Sequence, residues 1–228
     1  MQQSTLKPLF ETGRLWQGHS APQFPVSCSG FETINQQLAG GGWPTHMLIE
    51  WLTDESVCAP MTLAMATWRR QNDARSLVLL NPPHWPSAEG LWQQGIQPAR
   101  VDVIQAKSAD VGWCLEQLAK ADSVASILAW DTAHFESTAL RRLQLACQHG
   151  STQLFLVRSP EVRSRPSPAP VRAYLSTHIK GVSLELFKQP GAPARAAVSI
   201  EHASHPLSKT SPAARQVSAH TFDAVSLH

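Results

Sequence analysis

The chain has 228 residues, 43% of them hydrophobic, and a formal net charge of +2. A chain of this length can bury one sizeable hydrophobic core. The near-neutral net charge excludes a strong electrostatic attraction of the whole protein to nucleic acid or membrane, so any basic surface has to be local. No apolar stretch approaches the roughly 20 residues of a membrane span.

The four cysteines lie far apart, without the spacing of a metal site, and we expect no bound metal or cofactor. The amino-terminal segment lacks the long apolar core of a secretory signal. Together these features predict a cytoplasmic protein with reduced thiols.

Apolar runs alternate with helical patterns through the middle of the chain. The runs predicted as strands are 47–52, 76–81, 101–106, 126–130 and 152–157. The segments predicted as helices are 61–71, 86–95, 108–121 and 136–149. Continuous apolar strands separated by helices are typical of an α/β fold with a mostly parallel sheet covered by helices on both faces. The alternating runs "RAYLST" and "VSLELF" then predict a carboxy-terminal antiparallel hairpin.

The tryptophans divide the chain, because all eight lie between Trp16 and Trp130. After residue 189 the sequence has scattered Pro and Ser without apolar periodicity, and it buries too little apolar surface to offset its ordering entropy. The predicted organisation is therefore an amino-terminal arm (1–28), a core (29–189) and a disordered or loosely docked tail (190–228).

The order of strand, loop, helix, a strand ending at Asp131, a basic loop and a hairpin resembles the RecA ATPase core. The chain also contains the motifs "LWQG", "GGGWP", "LTDES", "LAW", "ALRRLQLA" and "VSLELFKQPG". Through these motifs it resembles, more closely, the ImuA family of SOS-induced, RecA-like proteins, which is often grouped with the division inhibitor SulA. This resemblance covers roughly residues 10–190.

The segment "TDESVCAPMTL" stands where the resemblance places a P-loop. A P-loop needs glycines that let backbone N–H groups cradle the phosphates and a Lys that neutralises their charge. Here no glycine or Lys is present, Asp54 and Glu55 repel phosphate, and Pro60 lacks an N–H donor. Thr62 supplies a hydroxyl, and Asp131 matches the strand-end acidic residue. We interpret these five residues as a degenerate nucleotide site and expect no ATPase activity or catalytic residue. For Asp131, the role of a helix N-cap or turn residue is preferred over the alternative, a residual contact to Mg²⁺ or another ligand.

A proline-rich basic stretch, 156–172, follows the last core strand, where the RecA pattern places its second DNA-binding loop. Its arginines are Arg158, Arg163, Arg165 and Arg172. In an open loop, guanidinium groups contact phosphates and stack on the bases of single-stranded DNA. The alternative is a solvated loop whose arginines keep it soluble. Both interpretations remain open.

Two further groups are candidates for partner binding. Arg141 and Arg142 lie beside an apolar stripe in the helix 136–149, and Trp85 and Trp92 lie where a core position is not forced. Arg and Trp are enriched at interface hot spots. For the arginines, the alternative is ordinary packing of the helix on the sheet with the guanidinium groups in water. For the tryptophans, the preferred alternative is packing in the core or at its edge.

The resemblance implies a non-catalytic adaptor of mutagenic translesion synthesis in the SOS response to DNA damage. Its implied partners are ImuB, which resembles an inactive lesion-bypass polymerase, an error-prone DnaE-type polymerase and RecA itself, with single-stranded DNA as a further ligand. The alternative function is a SulA-type inhibitor that binds the division GTPase FtsZ. The amino-terminal arm and the full first strand–helix unit favour the adaptor, because SulA-type chains are shorter there.

Overall fold

The computed structural model of the chain describes residues 24–54, 58–130, 132, 134–201 and, for the backbone alone, 218–221. In these ranges the α-helices are α1 (Glu32–Asn35), α2 (Cys58–Trp68), α3 (Ala88–Gln93), α4 (Val111–Lys120) and α5 (Ser137–Gly150). The strands are β1 (Val26–Ser27), β2 (Trp43–Pro44), β3 (Leu48–Leu52), β4 (Ser76–Leu80), β5 (Val101–Gln105), β6 (Val124–Ala129), β7 (Gln153–Arg158), β8 (Val171–His178), β9 (Gly181–Lys188), β10 (Val198–Glu201) and β11 (Ser218–Thr221).

Nine strands of the described part form one sheet, in the order β10-β9-β8-β3-β7-β6-β4-β5-β11. All neighbours from β8 to β11 pair in parallel, and β9 pairs antiparallel with both β8 and β10. The predicted parallel sheet with helices on both faces and a terminal antiparallel hairpin is confirmed. For every strand and helix predicted between residues 47 and 157, the predicted first and last residues lie within three residues of the observed ones.

Helices cover the sheet on two sides, each with its own apolar cluster. On the first side, called the α2–α3 face, Leu63 and Trp68 of α2 and Leu91 of α3 pack with strand residues such as Trp51 and Phe155. On the second side, called the α4–α5 face, the clustered residues come from α4, α5 and the alternate positions of the same strands. The central strands β3, β6 and β7 are buried along their whole length, which explains their continuous apolar sequences.

The terminal hairpin is extended by β10 through a close backbone contact at Gly181. A Cβ atom at Gly181 would lie 1.8 Å from the carbonyl oxygen of Ile200, so a larger residue would displace β10. The Ile200 side chain is buried and belongs to the cluster on the α2–α3 face. The edge of the sheet beyond β9 is therefore paired and partly packed.

Two short strands lie within the segment predicted as a disordered or loosely docked tail. The strands β10 and β11 come from the segment 190–228, and they pair with β9 and β5 at opposite edges of the sheet. A strand added to an edge gains backbone hydrogen bonds, so it does not need the apolar periodicity that the tail lacks. Residues 1–23, 202–217 and 222–228, which make up most of the predicted arm and most of the predicted tail, lie outside the described residues.

Candidate functional site

The connection between β3 and α2 occupies the position of a phosphate-binding loop. The strand ends at Leu52 and the helix begins at Cys58, which leaves five residues between them. Glu55 lies outside the described residues, whereas Pro60 is the buried third residue of α2. Because Pro has no N–H, the first turn of the helix offers one backbone donor fewer than a phosphate-binding helix. Thr62 lies one turn from the start of α2, on its half-buried outer side.

Asp54 is held at the carboxyl edge of the sheet by a neighbouring strand. The hydroxyl of Tyr174, in β8, donates a hydrogen bond of 2.6 Å to Asp54 Oδ2. This hydrogen bond, followed by burial and the carboxylate charge, raises the pKa of Tyr174. A carboxylate fixed at this point would repel an approaching phosphate group.

Asp131 lies outside the described residues, and its predicted turn or ligand role stays a prediction. Its neighbours are buried: Trp130 follows the end of β6, and the Thr132 hydroxyl donates to the carbonyl oxygen of Val157 at 2.9 Å. The chain leaving β6 is therefore fastened to the end of β7.

A buried carboxylate, Glu50, lies between two buried arginines in the middle of the sheet. Its side chain is fully buried in β3, while Arg158 in β7 and Arg172 in β8 are 4% and 5% exposed. Arg158 Nη1 donates to Glu50 Oε1 at 2.7 Å, and Arg172 Nε donates to Oε2 at 2.5 Å. Both carboxylate oxygens are paired with cations, so the three strands share one charged cluster on the α4–α5 face.

The guanidinium of Arg172 also fixes the connection from β7 to β8. It donates to the carbonyl oxygens of Val162 at 2.8 Å and of Arg163 and Arg165 at 3.1 Å. Nearby, Lys188 Nζ donates to the Ser167 carbonyl oxygen at 2.6 Å. The segment 159–170 is thus bound down by donors from two strands.

These contacts correct the premise of an open loop with four exposed arginines. Arg158 and Arg172 are buried strand residues that are both paired with Glu50, so they are not available to a phosphate at the surface. Arg163 and Arg165 are exposed, and for these two DNA contact stays a prediction. The sequence carried a signal for this arrangement: a glutamate inside the apolar run "MLIEWL" has to find a buried cation.

Arg163 lies in an exposed cluster beside the hairpin. Its Nη1 atom donates to Glu185 Oε2 at 3.0 Å, and its guanidinium carbon is 4.7 Å from the ring centre of Phe187. The hydrogen bond with Arg163 lowers the pKa of Glu185. Arg163 therefore lies over an aromatic ring, an arrangement that guanidinium groups also adopt on nucleic-acid bases.

The predicted partner residues lie on opposite sides of the sheet. Trp85, just before α3, is 53% exposed, and Trp92, within α3, is 39% exposed. Arg141 and Arg142 are exposed on α5, and Arg142 pairs with Glu116 of α4. They do not form one surface. Leu145 of α5 is 58% exposed, because Leu140, Leu143, Ala146 and Cys147 supply the buried side of this helix.

A groove of about 550 Å³ on the α2–α3 face was missed by the sequence interpretation. One wall is the outer side of α2, where Cys58, Met61, Thr62, Met65 and Arg69 recur at helical spacing. The other lining residues come from the segment 84–94, which includes Trp85, and from Phe31, Val182, Ile200 and Glu201. The regular recurrence of partly apolar residues on the side of α2 away from the sheet was the available signal.

The strand order, the crossover helices on both faces and the strand-to-helix connection define a protein of RecA-like fold. Consistent with this, the structure is similar to the crystal structure of the RadB recombinase, with a TM-score of 0.60, 14% identity, and coverage of 77% of this chain and 96% of that chain. Neither a protein-family model nor a curated protein sequence matches the chain. Among the described residues no helix is long and apolar enough to cross a membrane.

We expect that one isosteric substitution in the cluster around Glu50 strongly destabilises the protein. Glu50→Gln removes the charge that compensates two buried guanidinium groups, and we expect a loss of about 3–5 kcal/mol in the free energy of unfolding. The matched control is Glu185→Gln, which breaks an exposed pair with Arg163 and should cost less than about 1 kcal/mol. Urea denaturation of both variants measures the difference. Similar small losses in the two variants would contradict a structural role for the buried cluster.

The connection between β3 and α2 predicts no saturable ATP binding in the micromolar range. We expect binding to be absent because the connection has no Lys or glycines, because Pro60 removes a backbone donor from the first helical turn, and because the Asp54 carboxylate repels phosphate. Isothermal titration with ATP and Mg²⁺ measures this, with an intact RecA-like ATPase as the positive control. A micromolar dissociation constant for this chain would overturn the interpretation of a degenerate site.

Proposed function

We propose that the chain is a non-catalytic, RecA-like accessory protein of SOS-induced mutagenic translesion DNA synthesis. In this role it binds protein partners and single-stranded DNA. The observation that carries the proposal is a RecA-like fold whose phosphate-binding connection lacks the groups that hold a nucleotide. A fold of this kind without its catalytic loop retains surfaces for partners and for DNA.

The resemblance to the ImuA family supplies the particular process. It implies an ImuB-like inactive lesion-bypass polymerase, a DnaE-type polymerase complex and RecA as partners. The motifs "GGGWP" and "ALRRLQLA" that carry it lie around β2 and in α5, respectively. The second motif includes the exposed residues Arg141 and Arg142, which supports α5 as one contact surface.

The DNA-binding part of the proposal rests on Arg163 and Arg165. Both are exposed on the segment 159–170, whose backbone is held by Arg172 and Lys188. A fixed backbone lowers the entropy cost when these side chains bind a phosphate. Phe187, half-buried beneath Arg163, adds an aromatic surface beside the charge.

Replacing Arg163 and Arg165 with Ala should weaken binding of single-stranded DNA without unfolding the protein. The slope of log affinity against log salt concentration should fall by about 0.7 for each phosphate that the variant no longer neutralises. Stability should change by no more than about 1 kcal/mol, because the ion pair of Arg163 is exposed. Fluorescence anisotropy of a labelled oligonucleotide at several salt concentrations measures both the affinity and the slope.

The matched control removes two positive charges elsewhere, by changing Arg70 and Lys120 to Ala. Both are exposed and lie at or just beyond the carboxyl ends of α2 and α4, at the amino-terminal edge of the sheet. A purely non-specific charge effect would weaken binding equally in the two double variants. Identical curves for the wild type and the Arg163/Arg165 variant would remove DNA from the proposal and leave a protein-only adaptor.

The adaptor role predicts that the protein captures the ImuB-like polymerase from DNA-damaged cells. We expect the double change Trp85→Ala and Trp92→Ala to reduce this capture at least about tenfold, because exposed Trp residues at an interface contribute strongly to affinity. Val26→Ala, at an apolar residue 37% exposed in β1, is the control and should retain capture. Binding to FtsZ instead, with filamentous cells on overexpression, would favour a division inhibitor and contradict the adaptor.

A further inference from the structure

The turn between β8 and β9 carries a large apolar side chain that no described residue covers. Ile179 is fully exposed, and its neighbours His178 and Lys180 are exposed as well. These three residues form the hairpin tip. Tight turns favour Gly, Asn, Asp, Pro and Ser, whereas β-branched residues such as Ile are favoured in half-buried strands. An isoleucine at this point is therefore better suited to contact another surface than to form the turn.

The groove on the α2–α3 face opens beside the hairpin tip. Val182 lines the groove and is three residues after Ile179, so at most about 11 Å of extended backbone separates the two. Glu201, which pairs with Gly181 in the sheet, lines the same end of the groove. The hairpin tip and this end of the groove therefore belong to one continuous surface patch.

The charges at the hairpin tip and at the adjoining end of the groove have opposite signs. The tip carries Lys180, and this end of the groove carries the exposed Glu201. Neither side chain forms an ion pair with another described residue. The patch therefore complements a surface on which an apolar knob lies next to a positive charge and an apolar groove lies next to a negative one.

A second copy of this chain presents such a surface. A two-fold interface joins the same patch on both subunits, so when the knob of one copy meets the groove of the other, the reverse contact follows by symmetry. We propose that two copies form a closed dimer in which the hairpin tip of each lies in the groove of the other. Ile179 then packs against Met61 and Met65, whose flexible side chains adapt to their contacts, and Lys180 lies beside Glu201. A protein partner that uses the groove has to replace the second copy.

The concentration dependence of the mass tests the dimer. The tip and the groove are small features, and small interfaces belong to weak, transient complexes, so we expect a dissociation constant in the micromolar range. Sedimentation equilibrium over about 1–300 μM should show a weight-average mass that rises from one copy to two. A mass that stays at one copy would overturn the proposal. A mass that rises beyond two copies would contradict a closed dimer and indicate an open head-to-tail chain.

Replacing the knob should separate the two copies without unfolding either one. We expect Ile179→Asp to weaken self-association at least about tenfold, because the dimer would bury a carboxylate in an apolar groove at both of its contacts. The matched control is Leu145→Asp, which changes an exposed leucine of α5 on the opposite face and should leave self-association unchanged. Equal losses in the two variants would indicate non-specific apolar association and overturn the assignment of the hairpin tip.

An exchange of charges tests the contact between Lys180 and Glu201. Lys180→Glu and Glu201→Lys should each weaken self-association several-fold, because each change brings like charges together at both contacts of the dimer. An equimolar mixture of the two variants should associate about as strongly as the wild type, because both contacts of the mixed dimer again join opposite charges. A mixture that does not recover would overturn this contact between copies. These measurements use neither DNA nor a partner protein, so their failure would leave the proposed accessory function untouched.

Discussion

The buried carboxylate of Glu50 is the constraint on which the centre of the molecule depends. A fully buried charge is tolerated only with close counter-charges, and here the two neighbouring strands each supply an arginine. The strand β3 is therefore tied to β7 and β8 by side chains as well as by the backbone ladder. Because Arg172 also binds the carbonyl groups of the segment 159–170, the shape of this surface segment depends on a group in the core.

The same contacts explain why the arginines of the basic stretch 156–172 have two different roles. Arg158 and Arg172 flank the stretch in strands and face the core cluster, whereas Arg163 and Arg165 lie between them at the surface. The buried arginines help to fix the backbone of the stretch, and the exposed arginines project from that backbone into solvent. The proposed contact with DNA thus involves side chains on a fastened segment, supported beneath by Phe187.

Much of the fold was predictable, because strands such as "SILAW" and "TQLFLV" are continuous apolar runs and the helices between them have clear spacing. The roles of the arginines could not be predicted, because a loop and a strand end look alike in the sequence of a proline-rich stretch. Only the three-dimensional structure shows which arginines pair with Glu50. Likewise, β10 and β11 have little apolar pattern of their own, because an edge strand is held largely by its neighbour's backbone. The groove along α2 arises between elements distant in sequence, and no single segment encodes it.

The position of β10 and β11 has a consequence for synthesis. The strands β9 and β5, which they cover, precede them in the chain, so among the described strands both of these edges stay unpaired until residues 198–221 have been synthesised. Unpaired edges recruit strands from other chains, and the exposed Ile179 at the tip of the hairpin adds an apolar contact beside one of them. A product that stops before Val198 would therefore carry the core and both open edges, a combination that favours aggregation and clearance by chaperones and proteases.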